Sequence, residues 1–217
     1  MAEEQQLRRR FGLQELAGQA GPRYNIAPTQ AVLVVQGPIG QPTARMVRWG
    51  LIPFFARDPR ASRSRALINA RVETVGDKPS FRRALRFGRV LVPASHFYEW
   101  KRTKGGRTPM LIRRKDGELL CFAGICDRWT DPNTGEHLDT MAILTTSSNE
   151  LVATVHDRMP VILDSRREAE WLAGQLTSEL LDDLSCPYPA DGMDIHPVTP
   201  SLVSDSVSDQ PELILPT

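Results

Sequence analysis

The sequence predicts an α+β fold in a single domain: a mainly antiparallel sheet, or a partly closed β-barrel, flanked by short helices. Three observations carry this. Apolar runs of strand length outnumber the amphipathic helical stretches. Most of them adjoin through Gly-containing turns rather than crossover helices. No repeat, low-complexity segment or linker divides residues 1–217. A chain of 217 residues is also long enough for one substantial core.

Taken in order, "LRRRFGLQEL" (7–16) reads as a short helix interrupted by glycine. "AVLVVQ" (31–36) and "ARMVRWGLI" (44–52) read as strands joined by the Gly/Pro-rich "GPIGQP", and "FARDPRASRSR" as a basic surface loop. "ALINARVET" (66–74) reads as a strand. "KPSFRRALRFG" (78–88) reads as a helix with Ser80 as its cap and Gly88 as its stop. Strands follow at 89–93, 97–102, 109–115 and 118–126, with "KGGR" and "KDGE" as hairpin turns. "DTMAIL" is a further strand. Ser147 and Glu150 match a capping box for a brief helix, and His156 falls in the loop before the strand "MPVIL". "SRREAEWLAG" and "TSELLDDL" are amphipathic helices, and "DIHPV" opens a tail of strand and Pro-rich loop.

Composition narrows the function. No apolar run reaches the length of a bilayer span, and the start lacks the apolar stretch of a secretory signal, so a cytoplasmic protein without a membrane partner is expected. Three cysteines (Cys121, Cys126, Cys186) without CxxC spacing suggest neither a disulfide framework nor a zinc knuckle, and the four histidines are dispersed; no metal and no cofactor are expected. Net charge is only +1, yet residues 1–115 hold 23 Lys+Arg against 7 Asp+Glu, while residues 116–217 hold 4 against 19. An arginine-rich basic half favours a polyanion such as nucleic acid; attraction between the halves is the alternative. GxGxxG, P-loop, HExxH and GxSxG signatures are all absent.

Several stretches carry candidate chemistry. In "FYEWKR" alternation puts Phe97, Glu99 and Lys101 on one face and His96, Tyr98 and Trp100 on the other. If the first face is covered, the Glu99 carboxyl loses hydration and its pKa rises toward neutrality, as suits a proton carrier; otherwise it is an edge glutamate paired with Lys101 or Arg102. In "LINARVET" one face carries Asn69, Arg71 and Glu73, where a carboxamide and a guanidinium can hold a sugar and a phosphate together, or form a solvated row with an Arg71/Glu73 pair. Asn25 in "RYNIAPTQ" precedes a proline-rigidified turn and is open to an Asx-turn reading. His156 in "VHDRMP" stands beside Asp157 and Arg158, neighbours that can tune an imidazole.

In this order, "RYNIAPTQ", "RWGLIPFFA", "LINARVET", "LVPASHFYEWK", "AILTTSSNEL", "HDRMPVIL" and "HPVTP…PELILP" resemble the SRAP family, the SOS response-associated peptidases or abasic-site processing proteins, from about residue 5 to the C-terminus. The resemblance implies a single domain that binds single-stranded DNA containing abasic sites in a positively charged cleft, with a monomer expected. It also implies an N-terminal cysteine, exposed by removal of the initiator Met, that forms a thiazolidine with the opened sugar. Matched residue by residue, it implies Glu99, His156 and Asn69 as catalytic, Asn25 beside the sugar, Arg71 and Arg158 as phosphate contacts, and Pro28, Trp49 and Gly50 as the surface on which bases stack. The family's opening Met-Cys-Gly-Arg has no counterpart in "MAEEQQLRRRFGL", which resembles the helix that follows it. The expectation is a start downstream of that segment, or a member that binds single-stranded DNA without crosslinking. A thiol peptidase is the third reading.

Overall fold

The computed structural model describes residues 4–13, 22–37, 40–57, 67–173, 175–199 and 209–216. Five strands form the framework: β1 (Ala31–Gln36), β2 (Thr43–Trp49), β4 (Arg89–Ala94), β7 (Leu120–Thr130) and β8 (His137–Ser147). They pair in the order β2-β1-β4-β7-β8, and β2 returns to lie parallel to β8 at Arg48↔Thr140 and Trp49↔Met141, which closes the barrel. Closure is complete where the sequence left it partial, and the closing pair is parallel, so the sheet is mixed. Two short strands, β3 (Asn69–Arg71) and β9 (Arg158–Pro160), add to the far end of β8. A second sheet, ordered β10-β6-β5, is built from β5 (His96–Thr103), β6 (Gly106–Arg114) and β10 (Met193–Pro197).

Alternation along the strands produces two apolar clusters. Leu33 and Val35 of β1 and Ala123 and Ile125 of β7 pack with the helices: α1 (Glu4–Phe11) through Leu7, α2 (Pro79–Phe87) through Phe81 and Leu85, α3 (Ser165–Ala173) through Trp171, and α4 (Ser178–Leu184) through Leu180 and Leu184. Val32 and Val34, with Phe122, Met141 and Ile143, form the other cluster, against which Trp49 and Phe97 pack. The buried Trp171 also donates its indole N–H to Val90 O at 3.0 Å, tying α3 to β4.

Several local expectations change. "LINARVET" is a strand only over Asn69–Arg71 and then tightens into a 3₁₀ turn at Val72–Thr74. Lys78, not Ser80, is the cap of α2, and Pro79 takes the first turn, where its missing N–H costs nothing. Ser147 does not cap a helix, because it is held in β8 by pairing with Arg158; Asn149 caps the 3₁₀ turn Val152–Thr154 instead, its Oδ1 accepting from Val152 N–H at 2.9 Å. Residues 14–16 of the first expected helix, part of the basic loop after Phe55 and part of the tail lie outside the described residues.

Gly88 ends α2 as expected, for a packing reason. A Cβ there would stand 2.0 Å from Cys126 O, while Cys126 N–H donates to Gly88 O at 2.7 Å. Gly88→Ala should therefore lower stability by about 1–3 kcal/mol in denaturant unfolding, the usual cost of overpacking. Gly76→Ala, where nothing lies within 4 Å of the added carbon, should change it far less. Equal effects would show that the β7 backbone yields freely to α2.

Candidate nucleic-acid cleft

Strand alternation and the β8 edge bring the candidate residues to one place. A cleft of about 680 Å³ opens between the barrel and β5. Its lining includes Asn25, Pro28, Trp49, Asn69, Arg71, Glu99, His156 and Arg158. Eight of the nine sequence candidates meet there. Gly50 does not: it is buried at φ +129, and its N–H donates to Met141 O at 2.8 Å, so its place is in the seam behind Trp49.

The face assignment of "FYEWKR" holds. Phe97 packs edge-on against Phe122, with ring centroids 5.8 Å apart, and Glu99, two residues on, lies on the same side above that apolar floor. Burial raises the Glu99 pKa above the ordinary glutamate value; the positive end of His156 and the backbone N–H of Trp100 work the other way, and Asp157 adds to the rise. No ion pair joins Glu99 to Lys101 or Arg102 among the described residues. On the opposite face His96 and Tyr98 meet edge-to-face at 5.1 Å, and both reach Tyr24 O, from His96 Nε2 at 3.1 Å and from the donating Tyr98 hydroxyl at 3.0 Å. Burial pushes the His96 pKa down to about 4, so it is neutral at pH 7.

His156 is held by its own loop. Its Nδ1 accepts from Arg158 N–H at 3.0 Å, which in the neutral ring leaves the proton on Nε2. The same Nδ1 lies 3.2 Å from Arg158 O and 3.3 Å from Asp157 Oδ1, partners for a proton when the ring is charged. The loop is set in turn by Asn149, which is buried and donates to Tyr188 O at 2.7 Å.

The two arginines differ. Arg158 is bound in a fork by Glu73, Nη1 to Oε1 at 2.6 Å and Nη2 to Oε2 at 2.9 Å, and Nη2 also donates to Thr145 O at 2.6 Å. Those bonds hold the Glu73 carboxyl below its ordinary value. Glu73 thus belongs to Arg158, not to Arg71. Arg71 is exposed at the cleft without a hydrogen-bond partner among the described residues, its guanidinium available to an anion.

Two supporting contacts, and the strain within the expected proline-rigidified turn, were not legible in sequence. Asp209, beyond the described break near the C-terminus, accepts through Oδ1 from the N–H groups of Tyr24 and Asn25, and its Oδ2 accepts from Arg23 Nε at 3.0 Å. Trp49 donates its indole N–H to Ile68 O at 2.9 Å, beside Asn69. Ala27-Pro28-Thr29-Gln30 closes a turn by Gln30 N–H to Ala27 O at 3.2 Å, with Thr29 at φ +75, a strained value for a β-branched residue. The thiols are elsewhere: Cys121 and Cys126 are buried, burial pushes the Cys126 pKa up to about 12, and no cysteine lines the cleft. The described residues contain no His/Cys/Asp/Glu group able to hold a metal and no helix long and apolar enough to cross a membrane.

Fold and cleft together define a closed-barrel protein with a groove that sets a desolvated carboxyl, an imidazole and an exposed guanidinium among aromatic and proline surfaces. The family model for SOS response associated peptidase (SRAP) matches residues 1–205, and the chain belongs to that family. It is 42% identical over 199 residues to abasic site processing protein YoqW of Bacillus subtilis, covering 91% of this chain and 87% of that one. It is 34% identical over 193 residues to abasic site processing protein HMCES of Gallus gallus, covering 78% of this chain and 56% of that one. A crystal structure of a protein from Bacteroides thetaiotaomicron superposes with a TM-score of 0.79 at 29% identity, covering 87% of this chain and 82% of that one.

The desolvated carboxyl has a stability signature. A carboxyl whose folded pKa lies above its unfolded one destabilises the fold above both values and ceases to do so below both. Glu99→Gln should therefore raise Tm near pH 8, and the gain should shrink as pH falls below the raised folded value and be gone below the ordinary glutamate range. A Tm difference that stays flat with pH would mean that Glu99 is solvated.

Proposed function

We propose that the cleft binds single-stranded DNA and acts on abasic sites. The observation that carries this is the convergence of Glu99, His156, Asn69 and the unpartnered Arg71 on one groove, in a chain of the SRAP family. An abasic nucleotide offers a ring-opened sugar with an aldehyde, flanking phosphates and no base. Arg71 takes a phosphate. Asn69, two residues away on the same face of β3, takes the sugar hydroxyls, and Asn25 closes on them from the opposite lip. Pro28 and Trp49 present rigid apolar surface to bases parted at the lesion, which a stacked duplex does not offer.

Glu99 moves protons as the sugar opens, since a raised pKa suits a group that gives and takes a proton near neutrality. His156, with Nε2–H available, assists the addition or its reversal. In the family reading the nucleophile is an N-terminal cysteine: its amine attacks the aldehyde carbon, water leaves from the carbinolamine to give an imine, and the thiol adds across the imine to close a thiazolidine. Removal of the initiator Met ahead of that cysteine is the peptidase activity of the reading. Arg158 acts differently from a simple phosphate contact: bound to Glu73, it braces the strand that follows His156.

The test places the family's Met-Cys-Gly-Arg lead ahead of the 217 residues and incubates the protein with an abasic single-stranded oligonucleotide, reading a heat-stable shifted band on a denaturing gel. The extended chain should give the band, and Glu99→Gln within it should slow its appearance about a hundredfold, the scale of losing a general acid/base, with DNA affinity unchanged. Parallel loss of binding and reactivity would make Glu99 structural. Arg71→Ala should weaken binding to all sequences by about 1 kcal/mol and flatten its salt dependence; an unchanged titration would remove Arg71 from the DNA path.

A further inference from the structure

The β5–β6 hairpin leaves the cleft at Trp100 and continues outward through "KRTKGGR" to its turn at Lys104 and Gly105. β10 supports β6 only over Met110–Arg114, so beyond Trp100↔Pro109 the hairpin is a two-stranded ribbon with no third strand among the described residues. Residues 101–107 are all exposed. Lys101, Arg102, Lys104 and Arg107 lie on it, and none has a carboxylate partner among the described residues, although Arg10, Arg23, Arg45, Arg83 and Arg113 of the same basic half all pair with acids.

The pairing register is unfavourable by itself. Arg102 stands directly opposite Arg107, a like-charge pair that costs stability across a β ladder. An isolated two-stranded hairpin is marginal to begin with. Protection of an exposed edge from aggregation asks only for charge, and alternating signs would supply it while stabilising the ladder. A single sign on both faces, facing itself across the strands, fits a polyanion that neutralises it.

We propose that this ribbon is a second DNA-backbone surface, continuous with the cleft, that grips phosphates on nucleotides beyond the lesion. From Glu99 to the turn at Lys104 the strand advances about 17 Å, at about 3.3 Å per residue, which is about five nucleotide steps along one strand of a duplex. The proposal rests on the DNA reading of the cleft, and the experiment separates the two.

Lys101, Arg102, Lys104 and Arg107 are replaced together by Gln, and the wild-type and variant proteins are titrated across salt against three probes. These are an abasic single strand of about four nucleotides that fills the cleft alone, one of about twenty, and the longer strand annealed so that duplex begins outside the cleft. The variant should be at least as stable as wild type in Tm, because the Arg102–Arg107 repulsion is gone, and should match it on the short probe. On at least one longer probe it should bind at least about tenfold more weakly at low salt, with a log–log salt slope smaller by up to about 3, since each phosphate contributes about 0.7 on a single strand. Loss only on the duplex-flanked probe places duplex on the ribbon, and loss on both places a single strand there. Equal slopes on both longer probes overturn the proposal, as does a variant that aggregates yet binds normally, which would make the charges edge protection. If wild type ignores the short probe but binds the longer ones in a Gln-sensitive way, the ribbon stands and the cleft reading falls; if wild type binds none, both fall.

Discussion

Half of the candidate residues in the cleft depend on how one strand is shared. β8 spends its 11 residues on four partners: β7 along His137–Ile143, β2 at Thr140 and Met141, β3 at Ile143–Thr145, and β9 at Thr145–Ser147. Each of the last three brings a side chain of the cleft with it. The β2 pairing closes the barrel and sets Trp49, the β3 pairing sets Asn69 and Arg71 two residues apart on one face, and the β9 pairing sets Arg158. Because side-chain direction alternates with period two, a slip of one residue in any of these registers would turn the cleft groups into the core. Backbone pairing thus supplies the precision that a loop-built site would lack.

The second determinant is what the structure does with its charge. Much of the asymmetry between the two halves is consumed internally, in pairs such as Arg10 with Glu168, Arg45 with Asp139, and Arg83 with the buried Asp127. Attraction between the halves therefore accounts for part of the asymmetry and leaves other cations exposed. Pairing removes those arginines from the external field; among the described residues the cations without an acid partner include Arg71 and Lys78 at the cleft and four on the hairpin beyond it, with Arg48, Arg82 and Arg86 elsewhere on the surface.

What was legible in the sequence is what depends on short-range periodicity. The common face of Phe97 and Glu99, and that of Asn69 and Arg71, follow from alternation alone, and the turns at "KGGR" and Gly88 from glycine. The closing β2–β8 pair was not legible, because parallel pairing leaves no local signal. Ser147 and Glu150 matched a helix-start pattern, yet pairing to β9 claims Ser147 and leaves the capping to Asn149, so tertiary contact overrode a local rule. The partner of Arg158 was invisible for the same reason: Glu73 is 85 residues away, and an adjacent Arg71 offered the simpler pairing. Asp209 carries no motif at all, and only folding shows it fixing the backbone N–H groups of Tyr24 and Asn25.

The two glutamates of this region show how one groove can hold opposite acid–base behaviour. Glu73 accepts both arms of Arg158, so its charge is matched by directed hydrogen bonds and its pKa falls. Glu99 sits over Phe97 and Phe122 with no guanidinium partner among the described residues and is pushed up by burial, the Trp100 N–H and the field of His156 opposing and Asp157 adding to the rise. A carboxylate committed to an arginine cannot carry protons near neutral pH; one held poorly solvated can. The Glu73–Arg158 fork braces β9 and commits that guanidinium to Glu73, leaving the Glu99 carboxyl to the effect of burial. The cleft is therefore built on an unfavourable burial that the register of β8 and the packing beneath Phe97 are strong enough to hold in place.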